Sequence, residues 1–262
     1  MKKCISFLEG VAAVLLLIVI WNVASATGIF GHVSVRSSQL LLPPPSKVFH
    51  SIYEMTISGY LVKNIWISLL RVMKGFLLAV AIGIPLGIAM GLSDHFHNFL
   101  NPLFRIISPI PGVAWVPLAI LWFGLGDKAA IFIITVGSVS PIIVNTLQGV
   151  KDVDPILLQA LDTMGATKLQ AITKCIIPSI IPHIVSGFRL GMGFAWRVVI
   201  AAELVGVPNG MGYVLNVGRS TGKTEVTIVT ILCLGAIMII TDEVLFSPIE
   251  KLTKNWKSRP AE

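Results

Sequence analysis

The chain has 262 residues, of which 55% are hydrophobic and only 13% are charged, and its mean hydropathy is +0.85. Soluble domains carry about 25% charged residues, so this composition excludes a soluble globular enzyme, a disordered tail and a secreted disulfide scaffold. The net charge of +7 fits the basic cytoplasmic flanks of a membrane protein better than a nucleic-acid surface. The three cysteines are far apart and show no disulfide or metal-binding spacing.

Six segments are apolar over the roughly 20 residues that a membrane-spanning helix needs. In chain order they cover residues 11–30, 66–92, 103–123, 129–150, 179–205 and 226–246. The stretches that lie on the same side as the N-terminus carry modestly more Lys and Arg than those on the other side, which favours a cytoplasmic N-terminus. With six spans the C-terminus is then cytoplasmic as well. The sequence therefore predicts an all-α, polytopic membrane protein. For the first segment a cleavable signal peptide is the alternative, because Met-Lys-Lys and an apolar run precede Ala24-Ser25-Ala26.

The spans and the polar stretches between them suggest three regions. Residues 1–65 contain an N-terminal transmembrane helix and an external segment, and residues 66–250 form the transmembrane core. The core includes a long inner loop at 151–178, and a basic cytoplasmic tail follows at 251–262.

The second span carries a stripe of small residues at four-residue spacing, which lets another backbone approach one face of the helix closely. The stripe consists of Gly75, Ala79, Gly83, Gly87 and Gly91. Packing within the chain is the favoured interpretation, and a dimer seam is the alternative. Pro85 predicts a kink, and Arg71 and Lys74 are expected near the outer interface, where long side chains extend toward water.

Two other spans contain features that are costly in a bilayer. Pro109, Pro111 and Pro117 break the third span, and discontinuous helices often lie along a transport route. The fifth span holds Arg197 and Glu203, which lie about 240° apart around a helix and therefore need partners elsewhere or a ligand. A guanidinium in a dry cavity suits an oxyanion, so substrate contact and an interhelical salt bridge both remain open for Arg197. For Glu203 a structural role is favoured.

Two motifs suggest an enzyme but fail on inspection. The segment Gly218 to Thr224 has three residues between its glycines, whereas a phosphate-binding P-loop has four and follows a strand. Gly124-Leu125-Gly126-Asp127 matches the GxGD pattern of intramembrane aspartyl proteases, but the sequence around Asp242 does not match the partner motif that this chemistry requires. Nothing in the sequence predicts a catalytic site or a metal site.

The inner loop gives the most specific signal. Residues 157–167 and 168–175 form two short amphipathic segments with Gly165 between them, where a sharp turn is easy. Pro178 is placed to begin the next helix. We expect a surface helix that docks onto another protein.

This loop resembles the EAA loop of permease subunits in binding-protein-dependent ABC importers. The spacing from Gln159-Ala160-Leu161 to Gly165 and on to Pro178 is retained, whereas Gln159 and Leu161 depart from the Glu-Ala-Ala consensus. Five further segments resemble the nitrate, sulfonate and taurine branch of this family. They are Leu42–Val48, Ser68–Phe76, Ile120–Gly126, Asn145–Val150 and Ala201–Leu204.

The resemblance implies a type I importer permease with the MetI-like fold, working with a second permease copy, two ATP-binding subunits and an external substrate-binding protein. The loop residues implied to contact the ATPase are Gln159, Ala160, Asp162, Gly165, Ala166 and Pro178. The translocation path would lie between the permeases, and the residues assigned to it are Arg197, Glu203, Ser108, Trp115 and Ser140. ATP and Mg²⁺ would bind the partner, so the chain itself is expected to have no cofactor, no enzymatic activity and no nucleic-acid partner.

The implied location is a prokaryotic plasma membrane, and the implied cargo is a small anion such as nitrate, a sulfonate or taurine. A neutral or heterocyclic solute, such as a thiamine precursor or riboflavin, is the alternative within the same machinery. A stand-alone secondary transporter is the alternative from another class, although it has no need of a docking helix.

Overall fold

The computed structural model describes residues 2–27 and 40–249, with side chains from residue 9 onward. Within these residues every regular element is helical, which confirms the all-α prediction. The predicted basic tail at 251–262 lies outside the described residues.

Eleven α-helices are described, and we number them in chain order. They are α1 (Lys2–Thr27), α2 (Pro45–Ile57), α3 (Tyr60–Leu92), α4 (Asp94–Ile107), α5 (Val116–Phe123), α6 (Asp127–Lys151), α7 (Pro155–Thr163), α8 (Lys168–Ala171), α9 (Ile177–Gly206), α10 (Met211–Ser220) and α11 (Thr224–Thr241). A 3₁₀ turn, Gly112–Trp115, precedes α5, and π-helical turns cover Ile172–Ile176 and Asp242–Phe246.

Five helical stretches are long and apolar enough to cross a membrane. They are Glu9–Thr27, Tyr60–Leu92, Asp127–Lys151, Lys168–Gly206 and Thr224–Ile249. The predicted third span, at 103–123, is not one straight helix, because Asp94–Ile107 and Gly112–Phe123 meet at 86°. The bend falls at Pro109 and Pro111, as predicted, since proline lacks an N–H donor and moves the residue before it out of the α conformation.

The first of two compact units comprises Met1–Trp66 and Asn209–Gly235. Its proline-rich segment is held by α1, where Trp21 Nε1 donates to the carbonyl oxygen of Pro43 at 3.0 Å and Ser25 Oγ donates to that of Leu42 at 2.8 Å. The backbone N–H of Gly210 donates to Asn64 Oδ1 at 2.8 Å, which ties the start of α10 to α3.

The second unit, Ile67–Pro208 and Ala236–Glu262, is built on close packing of α3 against α6. A Cβ placed on Gly87 would lie only 2.6 Å from Thr146 Cβ and 3.0 Å from the carbonyl oxygen of Ile143. Gly75, Gly83 and Gly91 meet α6 in the same way. The small-residue stripe therefore packs within the chain, and α3 continues as helix through Pro85.

An ion cluster joins α3, α6 and α9 in this unit, with Arg71 and Glu203 buried and Asp127 62% exposed. Arg71 Nη1 lies 2.8 Å from Glu203 Oε1, while its Nε and Nη2 lie 2.8 and 2.6 Å from Asp127 Oδ1. Ser68 Oγ lies 2.8 Å from each carboxylate oxygen of Glu203. The Arg71 side chain does not extend toward water as predicted, because it is only 4% exposed. The charge that it meets on Glu203 and Asp127 compensates the cost of burial.

Pro178 lies in the first turn of α9, as predicted, but no break separates α9 from the helical turns before it. Helical structure runs without interruption from Lys168 through the π turn Ile172–Ile176 into α9. The other π turn, Asp242–Phe246, likewise ends two residues before a proline, Pro248. In both places the wider π turn accommodates a ring that would otherwise clash with the carbonyl four residues back, so the helix continues.

We expect Gly87→Ala to destabilise the chain by about 1–3 kcal/mol, because the added methyl group forces α3 and α6 apart. The measurement is thermal unfolding of the purified full chain in one detergent. Gly235→Ala is the matched control, since a Cβ there meets no atom within 4 Å. Equal stability of the two variants would show that the contact between α3 and α6 is looser than described.

We expect Glu203→Gln to destabilise the chain by about 3–5 kcal/mol, because the buried Arg71 loses one of its two compensating charges. Replacing both partners, as Arg71→Met with Glu203→Leu, should recover part of that loss, since no unpaired charge is then buried. Glu54→Gln, at a side chain that is 65% exposed, is the control. Unfolding of Glu203→Gln at the control's temperature would contradict the ion cluster.

Candidate functional site

The inner loop is a well-capped helix followed by a tight turn. Asp154 Oδ1 accepts a hydrogen bond from the backbone N–H of Ile156 at 2.9 Å, which caps the N-terminus of α7. At its C-terminus the N–H of Ala166 donates to the carbonyl of Leu161 at 3.0 Å, and Gly165 has a φ of +74°. This is the Schellman motif, in which glycine is the favoured residue at the left-handed position. The predicted turn at Gly165 is confirmed.

A second cap fixes the segment that follows the turn. The backbone N–H of Thr167 donates to Gln170 Oε1 at 2.8 Å, and Thr167 Oγ1 accepts from the N–H of Gln170 at 3.3 Å. This reciprocal capping box starts α8, and only four residues separate it from the end of α7. The loop is therefore an ordered helical hairpin.

Within the described part of the chain, the hairpin presents both apolar and polar side chains that are exposed. Four large apolar side chains are exposed on it, namely Ile156, Leu157, Met164 and Leu169. Of the predicted docking residues, Gln159, Ala160, Asp162 and Gly165 are exposed and Ala166 is half-buried. Pro178 is half-buried and, with Leu157, lines a cleft of about 370 Å³ at the base of the hairpin. Exposed apolar surface of this kind marks an interaction site.

A second region of interest is a cleft at the break between α4 and α5, which we call the serine cleft. Its volume is about 530 Å³, and it is lined by the break itself, by α6 and by Leu190 and Phe194 of α9. Ser108 Oγ and Ser140 Oγ lie 2.6 Å apart within it. Two of the residues predicted for the translocation path are thus brought together by the proline break.

A neighbouring cleft of about 320 Å³, here the arginine cleft, lies between α9 and the last helical segment. Arg189 forms a bidentate pair with Asp242, with Nε 2.7 Å from Oδ1 and Nη2 2.5 Å from Oδ2. Arg197 also lines this cleft. Within the described part of the chain Arg197 has no ion pair, and its guanidinium carbon lies 5.6 Å from the centre of the Phe194 ring.

The remaining two residues predicted for the path line neither cleft. Trp115 is the last residue of the 3₁₀ turn that follows Pro111 in the chain, and its side chain is half-buried. Glu203 is 1% exposed and lies in the ion cluster, where its neighbours are Ser68 and Arg71. This geometry gives Glu203 the structural role that the sequence favoured.

Sequence reasoning missed Arg189, Asp242 and Phe194 as parts of a site. A signal for the first two was present, because opposite charges inside two apolar spans have to meet a partner or water. The sequence did not reveal the position of Phe194, since an aromatic residue in an apolar span is ordinary.

The model of the family described as binding-protein-dependent transport system inner membrane component matches residues 83–245. A putative ABC transporter permease of Methanocaldococcus jannaschii is 41% identical over 71% of this chain and 70% of its own length. The taurine transport system permease protein of Escherichia coli is 34% identical over 88% of this chain and 82% of its own length. A bicarbonate transport system permease protein of Synechococcus elongatus is 30% identical over 92% of this chain and 89% of its own length.

Among solved structures, a chain of the inward-facing MetNI methionine ABC transporter superposes with a TM-score of 0.64 at 19% identity. The match covers 75% of this chain and 97% of that one, so it shows the MetI-like fold. The chain therefore belongs to the family of binding-protein-dependent transport system inner membrane components, and it is a multi-pass permease subunit of an ABC importer.

Proposed function

We propose that this permease forms the translocation path for a small anion, which an external binding protein delivers and which ATP hydrolysis on a partner subunit drives across the membrane. The observation that carries the proposal is the ordered hairpin formed by α7 and α8, whose apolar side chains are exposed. It supplies the surface on which an ATPase can dock, and the clefts beside α9 supply candidate sites along a path.

The docking surface is proposed to be Gln159, Ala160, Asp162, Gly165, Ala166 and Pro178. Exposed apolar side chains beside polar ones, on a helix held at both ends by caps, suit insertion into a groove on another protein. A preformed hairpin also reduces the entropy lost on binding. ATP and Mg²⁺ are proposed to bind the partner, with two ATPase copies serving two copies of this permease.

The path is proposed to include Ser108, Ser140 and Arg197, with Trp115 beside the helix break. The substrate class rests on two observations. Two relatives are named for taurine and bicarbonate, both of which bear an anionic oxygen group, and Arg197 places a cation in a cleft of this chain. Import of a thiamine precursor or a riboflavin-like solute would not require a cation in the cleft. A stand-alone carrier would not require an exposed docking hairpin.

Orientation follows from the same proposal. If the hairpin meets an ATPase inside the cell, α1 starts and the basic tail ends on the cytoplasmic side, with the bent pair α4 and α5 counted as one span. Closure of the ATPases would move the two hairpins together and switch the permease between inward-open and outward-open states.

We expect Gly165→Asp to reduce copurification of the ATPase about tenfold or more. A left-handed backbone costs a residue with a Cβ up to about 1–2 kcal/mol, and less for Asp than for most residues. The turn that presents the hairpin would be strained, and the added carboxylate would lie on the docking face. The measurement is recovery of the ATPase with the tagged permease from its native membranes.

Gly222→Asp is the matched control. Gly222 also has a positive φ, +68°, and like Gly165 it has no atom within 4 Å of a Cβ position. Gly222→Asp therefore introduces the same backbone strain at a position outside the hairpin, and it should leave copurification of the ATPase unchanged. Loss of the ATPase from both variants, or from neither, would contradict docking on α7 and α8.

A further inference from the structure

We propose that the arginine cleft is a binding site for a monovalent oxyanion with a small apolar part, such as a short-chain sulfonate. The site is formed by Arg197 as the anion's counter-charge, by the Arg189–Asp242 pair as a neutral wall, and by Phe194 as the boundary with the serine cleft. This inference rests on the proposed function and specifies the charge of the substrate.

The charge of the cleft is set by three residues. Of the described residues that line it, only Arg189, Arg197 and Asp242 are charged. Arg189 and Asp242 compensate each other through two parallel contacts of 2.7 and 2.5 Å, which is the strong bidentate geometry of a guanidinium and a carboxylate. One positive charge, on Arg197, remains, and it matches one negative charge on a ligand.

Arg197 has to meet water or a ligand in the membrane. It lies within the apolar stretch Lys168–Gly206 and its side chain is exposed. A guanidinium that faces lipid near the middle of a bilayer is costly, whereas one that faces a water-filled cleft keeps its hydration until an anion replaces it. The cleft at this position is therefore expected to be accessible from the aqueous path.

The rest of the lining suits a small apolar group rather than an inorganic ion with a full hydration shell. Met192, Phe194, Met238 and Phe246 supply the apolar walls. The volume of about 320 Å³ is at the lower end of the range for ligand sites. An anion with a short hydrocarbon part can contact Arg197 with its head and these side chains with its tail.

Phe194 and Leu190 line both the arginine cleft and the serine cleft. Phe194 lies close to Arg197, and the serine cleft that Phe194 also lines holds the hydroxyl pair of Ser108 and Ser140. A change in the side-chain rotamer of Phe194 would join the two clefts. An anion released by Arg197 would then find hydroxyl donors in the next cleft, so Phe194 is assigned as the partition between two successive stations.

The test is equilibrium binding of two fluorinated anions to the purified full chain in lipid nanodiscs, followed by ¹⁹F NMR line broadening. Trifluoromethanesulfonate serves as the monoanion with an apolar group, and monofluorophosphate serves as the dianion at pH 7.5. Wild type should bind trifluoromethanesulfonate more tightly than monofluorophosphate. Arg197→Gln should weaken trifluoromethanesulfonate binding about tenfold or more, because a charge-assisted contact is lost, while Arg197→Lys should retain part of it.

Asp242→Asn tests the charge argument. It removes one negative charge and raises the summed charge of the described residues that line the cleft from +1 to +2, so the preference should move toward monofluorophosphate. The double variant Arg189→Gln with Asp242→Asn returns the cleft to +1 and should restore the preference for the monoanion. Arg105→Gln, at an exposed arginine of α4 outside both clefts, is the control for unspecific attraction of anions.

Two results would overturn the inference, namely unchanged binding by Arg197→Gln or equal losses in Arg197→Gln and Arg105→Gln. A dianion preference in wild type would overturn the assignment of a monovalent site. These measurements need neither the ATPase nor transport, so their failure is distinguishable from failure of the docking proposal, which copurification tests separately.

Discussion

The contacts of the buried Arg71 side chain with Glu203 and Asp127 are the constraint around which the second unit is organised. Each of these residues comes from a different helix, α3, α9 and α6. Because the guanidinium is only 4% exposed, losing one of its charged partners would be strongly destabilising. The ion contacts therefore hold the three helices in one relative arrangement. The glycine contacts hold two of these helices, α3 and α6, at close range as well, since a Cβ on Gly87 would lie only 2.6 Å from Thr146 Cβ.

The same arrangement connects the proposed docking surface with the proposed binding site. Helical structure from Lys168 to Gly206 spans 39 residues, which is about 58 Å. Its first residues, α8, form the second arm of the hairpin. Arg189 and Arg197 lie along it, and Glu203 anchors its end in the ion cluster. A displacement of the hairpin would therefore be transmitted along one continuous element to the arginine cleft. The π turn Ile172–Ile176 and Pro178 are the places where this element departs from a regular helix.

Much of the fold follows from patterns in the sequence. Apolar length located five spans, prolines located the break in the third, and small-residue spacing identified the packed face of α3. The turn at Gly165 was also predictable, because a glycine between two amphipathic segments allows the chain to turn sharply there. The burial of Arg71 was not predictable, since its partners are 56 and 132 positions away in the chain. The continuity of the helix through Pro178 was also missed, because a π turn has no clear sequence signature.

For the site, the sequence predicted which residue types matter but not how they combine. Ser108 and Ser140 were both assigned to the path, and their contact at 2.6 Å depends on the 86° bend between α4 and α5. Arg197 was identified by its charge in an apolar span. The compensation of Arg189 by Asp242 connects residues 53 positions apart, so the net charge of the cleft is visible only in three dimensions.

The central claim is that this permease works as part of an ATP-driven importer through the hairpin of α7 and α8. Native mass spectrometry of the tagged chain, extracted gently from its own membranes, tests it most directly, because it counts the subunits in one particle. The account predicts two permease copies with two ATPase copies. Recovery of the permease without any ATPase, even after crosslinking, would contradict it and leave a stand-alone carrier as the better description.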